Sequence, residues 1–266
     1  MVQFFRSRIV PVLLLGLAYL STVAPVLAST CSAKSGERRI TLLELYTSEG
    51  CDSCPPADEW ISKLPARGFT RDQLIPLAFH VDYWNYLGWR DVFSQAKFSE
   101  RQRQMAQINH SFVYTPQLIL NGRDYRPGFR KDDISNKINE INNQKPLADI
   151  SLTWAMPGPE RLHVSGKIRV ASAFDRRNAQ VYLALYENNL STAVKAGENS
   201  GRTLHHDSVV RELVGPIAFD GEGYAQLEQA FILQHSWKRQ DTGVVAFVQN
   251  VRSGEVLQAL ALAGCN

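Results

Sequence analysis

Cys51-Asp52-Ser53-Cys54 constrains this chain more than any other stretch, because of what stands on either side of it. Ahead of the pair, Ile40 to Tyr46 is an apolar run of strand length. Behind it, Pro55-Pro56 and then Ala57 to Leu64 open like a helix, with proline and acids in the first turn. A strand, a turn with two cysteines and a helix put the first sulfur at a helix N-terminus. Unpaired N–H groups and the helix dipole favour a thiolate there, and only the thiolate is a nucleophile.

The amino end reads as a secretory leader. Arg6 and Arg8 precede the apolar run Ile9 to Leu20, and Val26-Leu27-Ala28 offers a small-residue cleavage site. Residues 1–28 are therefore expected to be a signal peptide, and contact with a membrane is expected only through it. Pro11, Gly16 and Pro25 leave the run short of a full span. A periplasmic or secreted location follows. The net charge is +3, of which the two leader arginines supply two. Charge thus gives no case for nucleic acid as a partner, and no basic run is interleaved with aromatics. In an oxidising compartment four cysteines form two pairs. Cys51 with Cys54 leaves Cys31 with Cys265, a structural staple across the whole exported chain.

Further along, Leu74 to Val81 reads as a central strand despite Pro76. It empties into Asp82 to Trp89, a loop dense in aromatics. Tyr83, Trp84, Tyr86 and Trp89 either form a substrate groove or pack under the helix expected from Gln95 to Ile108. Thr115-Pro116 stands before the strand Gln117 to Leu120 and the hairpin turn Asn121-Gly122, a placement that suits a cis peptide bond. Asp132 to Asn142 reads as a last helix. From about Leu147 the period changes to two. Asp149 to Trp154, Leu162 to Val170, Gln180 to Tyr186, Val209 to Val214, Tyr224 to Leu233, Val244 to Val248 and Glu255 to Leu262 are strand-like, which argues a β-sandwich. His205-His206 reads as a solvated loop, since neighbours on a strand face opposite ways and cannot share a metal.

The order strand, Cys-x-x-Cys, helix, strand, helix, Thr-Pro, hairpin, helix resembles the thioredoxin superfamily over roughly Arg39 to Asn143. More narrowly, Leu45-Tyr46-Thr47-Ser48-Glu49-Gly50-Cys51 with Cys54-Pro55-Pro56-Ala57-Asp58, His80-Val81-Asp82-Tyr83-Trp84 and Tyr114-Thr115-Pro116-Gln117 looks like a family of secreted bacterial thioredoxin-like proteins of unknown function. The resemblance implies an α/β thioredoxin-like domain over residues 36–145, followed by an all-β sandwich-like domain over residues 146–266. It implies that Pro116 and Thr115 hold an extended substrate against Cys51, and that Glu44 is the buried carboxylate that accepts the proton of Cys54. Trp84 joins them as a candidate substrate contact.

The expected function is thiol–disulfide exchange. Cys51 attacks and Cys54 resolves, on exported proteins or small thiols and disulfides, with an unidentified redox partner. Asp52 and Glu49 oppose the thiolate, so Cys51 is expected to have only a moderately lowered pKa. No cofactor and no metal are expected. Two alternatives stay open: a non-catalytic binding or assembly module with a structural disulfide, and a copper- or zinc-handling protein in which only His80 stands near the cysteines.

Overall fold

The computed structural model describes residues 1–3, 29–126 and 134–265. The expected leader lies almost wholly outside the described residues. In chain order the elements are β1 (Ser29–Lys34), β2 (Thr41–Thr47), α1 (Pro55–Ser62), β3 (Leu74–His80), α2 (Ala96–Ile108), β4 (Gln117–Leu120), β5 (Arg123–Asp124) and α3 (Ile134–Asn142). Then come β6 (Asp149–Met156), β7 (Arg161–Arg169), α4 (Ala173–Arg176), β8 (Ala179–Glu187), β9 (Leu190–Ala193), β10 (Thr203–His206), β11 (Val209–Ala218), β12 (Tyr224–Ile232), β13 (Thr242–Asn250) and β14 (Val256–Ala263). Among the described residues no helix is long and apolar enough to cross a membrane.

The expected division into an α/β thioredoxin-like domain and a following sandwich is corrected by the sheet topology. One eight-stranded sheet runs β14-β13-β8-β11-β3-β2-β4-β5, taking strands from both halves of the chain. The physical reason is the free edge of β3. An exposed strand edge leaves a row of unpaired N–H and C=O groups. Here β11 covers it in parallel at Val209↔Ala78, and the Ala78 N–H donates to the Ser208 carbonyl at 2.8 Å. The exchange runs the other way as well: β1 pairs along its whole length with β6 in the four-stranded sheet β1-β6-β7-β12. The molecule is a β-rich fold, with 14 strands against four helices among the described residues.

Both faces of the central strands are buried, as their unbroken apolar sequences require. On β2, Leu43 and Leu45 pack with Ala57 and Ile61 of α1 and Ile134 and Ile138 of α3. Leu42 and Tyr46 face the other way, with Phe98 and Met105 of α2 and Val245 and Phe247 of β13. A third core lies between the four-stranded sheet and the far half of the large one, centred on Trp154, Leu162, Val181, Leu183 and Ala246. Pro76 is tolerated in β3 because β11 pairs only at Ala78 and so asks no hydrogen bond of the proline. The β4–β5 turn has positive φ at both Asn121 (47°) and Gly122 (84°). A Cβ on Gly122 would lie 1.8 Å from the Gly254 carbonyl oxygen, so only glycine fits there.

Candidate functional site

β2 ends at Thr47 and the chain turns through Ser48, Glu49 and Gly50, with the Cys51 N–H bonded to the Ser48 carbonyl at 3.2 Å. Cys54 is the N-cap of α1; its carbonyl accepts from Ala57 and Asp58, and the prolines follow where a helix needs no N–H donor. Cys51 and Cys54 form a disulfide with Cα atoms 5.4 Å apart. Cys31 and Cys265 form the second, tying β1 to the segment after β14.

Thr115, Pro116 and Trp84 come to the dithiol from two other segments. The Thr115–Pro116 peptide is cis. Thr115 Oγ1 donates to Cys51 Sγ at 3.4 Å, and Trp84 Nε1 donates to the same Oγ1 at 2.7 Å. Gln102 of α2 holds this corner on both sides of the proline: its Nε2 donates to the Tyr114 carbonyl (2.7 Å) and to Gln117 Oε1 (2.8 Å). Of the aromatic loop, Tyr83 and Trp84 pack against the α2 core while Tyr86 stands exposed. Phe112 and Val113, just ahead of the proline corner, are exposed as well.

Glu44 does not come to the cysteines. It lies on the β2 face opposite α1, gripped by Arg101 of α2 through Nε (2.7 Å) and Nη2 (2.9 Å), and it accepts from Tyr46 Oη at 2.8 Å. Arg101 is fixed in turn by Gln249 at 3.1 Å and by the Phe79, Tyr182 and Phe247 rings. Two buried carboxylates lie on the dithiol side: Glu49, in the turn before Cys51, and Asp58, one helical turn after Cys54, which accepts from Thr47 Oγ1 at 2.7 Å.

The second half of the chain supplies the remaining walls. The segment 194–202 between β9 and β10 lies on the dithiol turn. Asn199 Nδ2 donates to the carbonyls of Glu49 and Cys51, each at 2.9 Å, and the Asp52 N–H donates to Glu198 Oε2 at 3.2 Å. Both cysteines are 0% exposed beneath this cover, while Asp52 and Ser53 at the tip are exposed. The solvated loop expected at His205-His206 is corrected: these residues end β10, and His206 points inward, 2% exposed. Neighbours do face opposite ways on a strand, and that rule is what turns one of the two into the interior.

His206 reaches two carboxylates, Asp58 Oδ1 from Nδ1 and Glu49 Oε1 from Nε2, both at 3.4 Å. Those distances are ionic contacts rather than well-formed hydrogen bonds. Burial opposes a charge on His206, but Asp58 and Glu49 outweigh it and push the imidazole up to about 10. His80 at the end of β3 lies at right angles to His206, with ring centroids 4.9 Å apart, and Phe93 meets both edge-on. His80 Nδ1 is 2.7 Å from Asp91 Oδ2. Burial works against the Asp91 carboxylate, yet His80 and the N–H groups of Glu49 and Phe93 hold it below its usual range. Asp91 thus accepts from His80 Nδ1–H, and Nε2 on the other side of the ring has no hydrogen-bond partner among the described residues.

No curated protein matches the chain. Among solved structures, it is similar to a crystal structure of a protein from Agrobacterium tumefaciens, with TM-score 0.56 and 24% identity over 86% of this chain and 96% of that one. It is also similar to HBP35 of Porphyromonas gingivalis, with TM-score 0.62 and 15% identity over 86% of this chain and 76% of that one. At such identities the likeness is one of fold. Residues 42–249 match the family described as "Protein of unknown function (DUF1223)", and by that extent of agreement the chain belongs to this family.

Proposed function

We propose that this is an exported thiol–disulfide exchange protein acting on other exported proteins or on small thiols and disulfides. The observation that carries the reading is the Cys51–Cys54 disulfide at the start of α1 with Thr115 Oγ1 set on Cys51 Sγ. In the reduced form the helix N-terminus favours the Cys51 thiolate. It attacks a substrate disulfide, forming a mixed disulfide and expelling one substrate thiolate. The Cys54 thiolate then attacks Cys51 Sγ, closes the intramolecular bond and releases the second. The substrate gains two electrons and the dithiol loses them, so a redox partner must restore it. Exposed Tyr86, Phe112 and Val113 offer an apolar approach to the proline corner. The Cys31–Cys265 bond suits an oxidising compartment outside the cytosol.

The full burial of both sulfurs favours a second reading, a binding or assembly module in which the bond is a fixed crosslink. A redox titration of the folded protein against glutathione, with thiols trapped by alkylation and located by mass spectrometry, decides between the two. Exchange requires Cys51 and Cys54 to open reversibly while Cys31 and Cys265 stay paired. A Cys51–Cys54 bond that resists until the protein unfolds leaves the crosslink.

A further inference from the structure

Three buried polar atoms behind the dithiol turn have no hydrogen-bond partner among the described residues: His80 Nε2, His206 Nε2 and Glu49 Oε1. They come from β3, β10 and the turn before Cys51. An unsatisfied buried polar group costs about 1–3 kcal/mol, so three in one place call for an explanation. Ionic pairing of His206 with Glu49 and Asp58 engages two of them and leaves His80 Nε2 alone.

Asp58, His80 and His206 each offer one ligand atom, and the three atoms lie within 4.8 Å of one another, all on buried side chains. We propose that these residues bind a divalent transition-metal cation of the zinc class, with the Glu49 carboxylate beside it. Two imidazoles and a carboxylate form a donor set suited to zinc, at bonds of about 2.0–2.2 Å. Ligand atoms around a tetrahedral ion at such bonds stand about 3.5 Å apart, so the three need draw in by roughly 1 Å.

His80, Asp58 and Glu49 are also held from behind, as metal ligands are. Asp91 fixes His80 through Nδ1 and is itself held by the N–H groups of Glu49 and Phe93. Thr47 Oγ1 occupies Asp58 Oδ2 and leaves Oδ1 on the His206 side, where it can turn to the ion. Trp89 Nε1 occupies Glu49 Oε2 at 2.8 Å and leaves Oε1 facing His206. A dication would sit against two carboxylates, with Phe93 sealing one side.

The test uses the whole protein with both disulfides oxidised, so that no thiol competes for the ion. Uptake by the oxidised form is independent of whether the dithiol exchanges. After chelator treatment, calorimetric titration with zinc gives one equivalent bound. Cobalt in its place gives a visible ligand-field spectrum without thiolate charge transfer. His206→Gln and, separately, Asp58→Asn each weaken zinc binding at least about tenfold, with near-UV circular dichroism showing that the variant is folded. If one variant does not fold, the other carries the comparison. The proposal is overturned if the folded wild type takes up no zinc at micromolar concentration, if the folded variants bind as the wild type does, or if cobalt shows thiolate charge transfer.

Discussion

Asn199 donates its side-chain amide to the carbonyl of Cys51 at 2.9 Å, across 148 positions of sequence. The same amide reaches Glu49, and Arg202 Nη1 holds Asn199 Oδ1 at 2.7 Å. The shape of the dithiol turn therefore depends on the β9–β10 segment as much as on the turn's own residues.

Asn199→Ala takes the buried side-chain donor from both carbonyls; that of Cys51 keeps the Cys54 N–H at 3.2 Å, and that of Glu49 is left unpaired. The expected cost is about 1–3 kcal/mol in urea unfolding, the penalty for one buried carbonyl left unpaired. The Cys51–Cys54 bond should also be reduced several-fold faster by a small thiol, because its cover is loosened. Unchanged reduction kinetics in a folded variant would show that the segment does not control access.

Glu44→Gln strips a buried charge from Arg101, and such a loss typically costs about 3–5 kcal/mol. The redox potential of the dithiol should stay where it is, since Glu44 and α1 lie on opposite faces of β2. A shift in potential or in exchange rate, measured in glutathione buffers on the folded variant, would restore Glu44 to the site.

Replacing Cys31 and Cys265 together by serine removes a link between residues 234 positions apart. The chain-entropy account gives at most about 5 kcal/mol of lost stability. Trapping of Cys51 and Cys54 during redox titration should be unaffected as long as the protein stays folded.

In protein freed of metal, His206 carries a raised pKa of about 10 against about 6.5 in the unfolded chain. Folding therefore favours its protonated form. That contribution is complete below about pH 6.5 and is lost as pH rises through about 10. Urea midpoints of chelator-treated protein should fall across that window, and His206→Gln should flatten the fall. Parallel profiles for variant and wild type would refute the charged pairing with Asp58 and Glu49.

The elements that surround the cysteines are written locally, and the partners that close the site are not. β2, β3 and α2 declare themselves through apolar runs and helical period, and Thr115-Pro116 through its place before a strand. β9 and β10 have four residues each, too short for alternation to stand out, although Leu204 and His206 do share the inward side. The join of β11 to β3 rests on the single pair Val209↔Ala78, which leaves no pattern in either segment, so the chain reads as two domains although its eight-stranded sheet takes strands from both halves. The side of β2 that Glu44 takes is not legible in the sequence, because β2 is apolar on both faces and the alternation that would separate them carries no contrast.

The route of the chain has a consequence for its making. A polypeptide is synthesised from its amino end, so the turn holding Cys51 and Cys54 emerges long before Glu198, Asn199 and His206 exist to close over it. β1 likewise waits for β6, and Cys31 for Cys265, 234 positions further along. A nascent chain thus carries its dithiol uncovered until the β9–β10 segment has been made, and the buried state belongs to the folded molecule rather than to the turn.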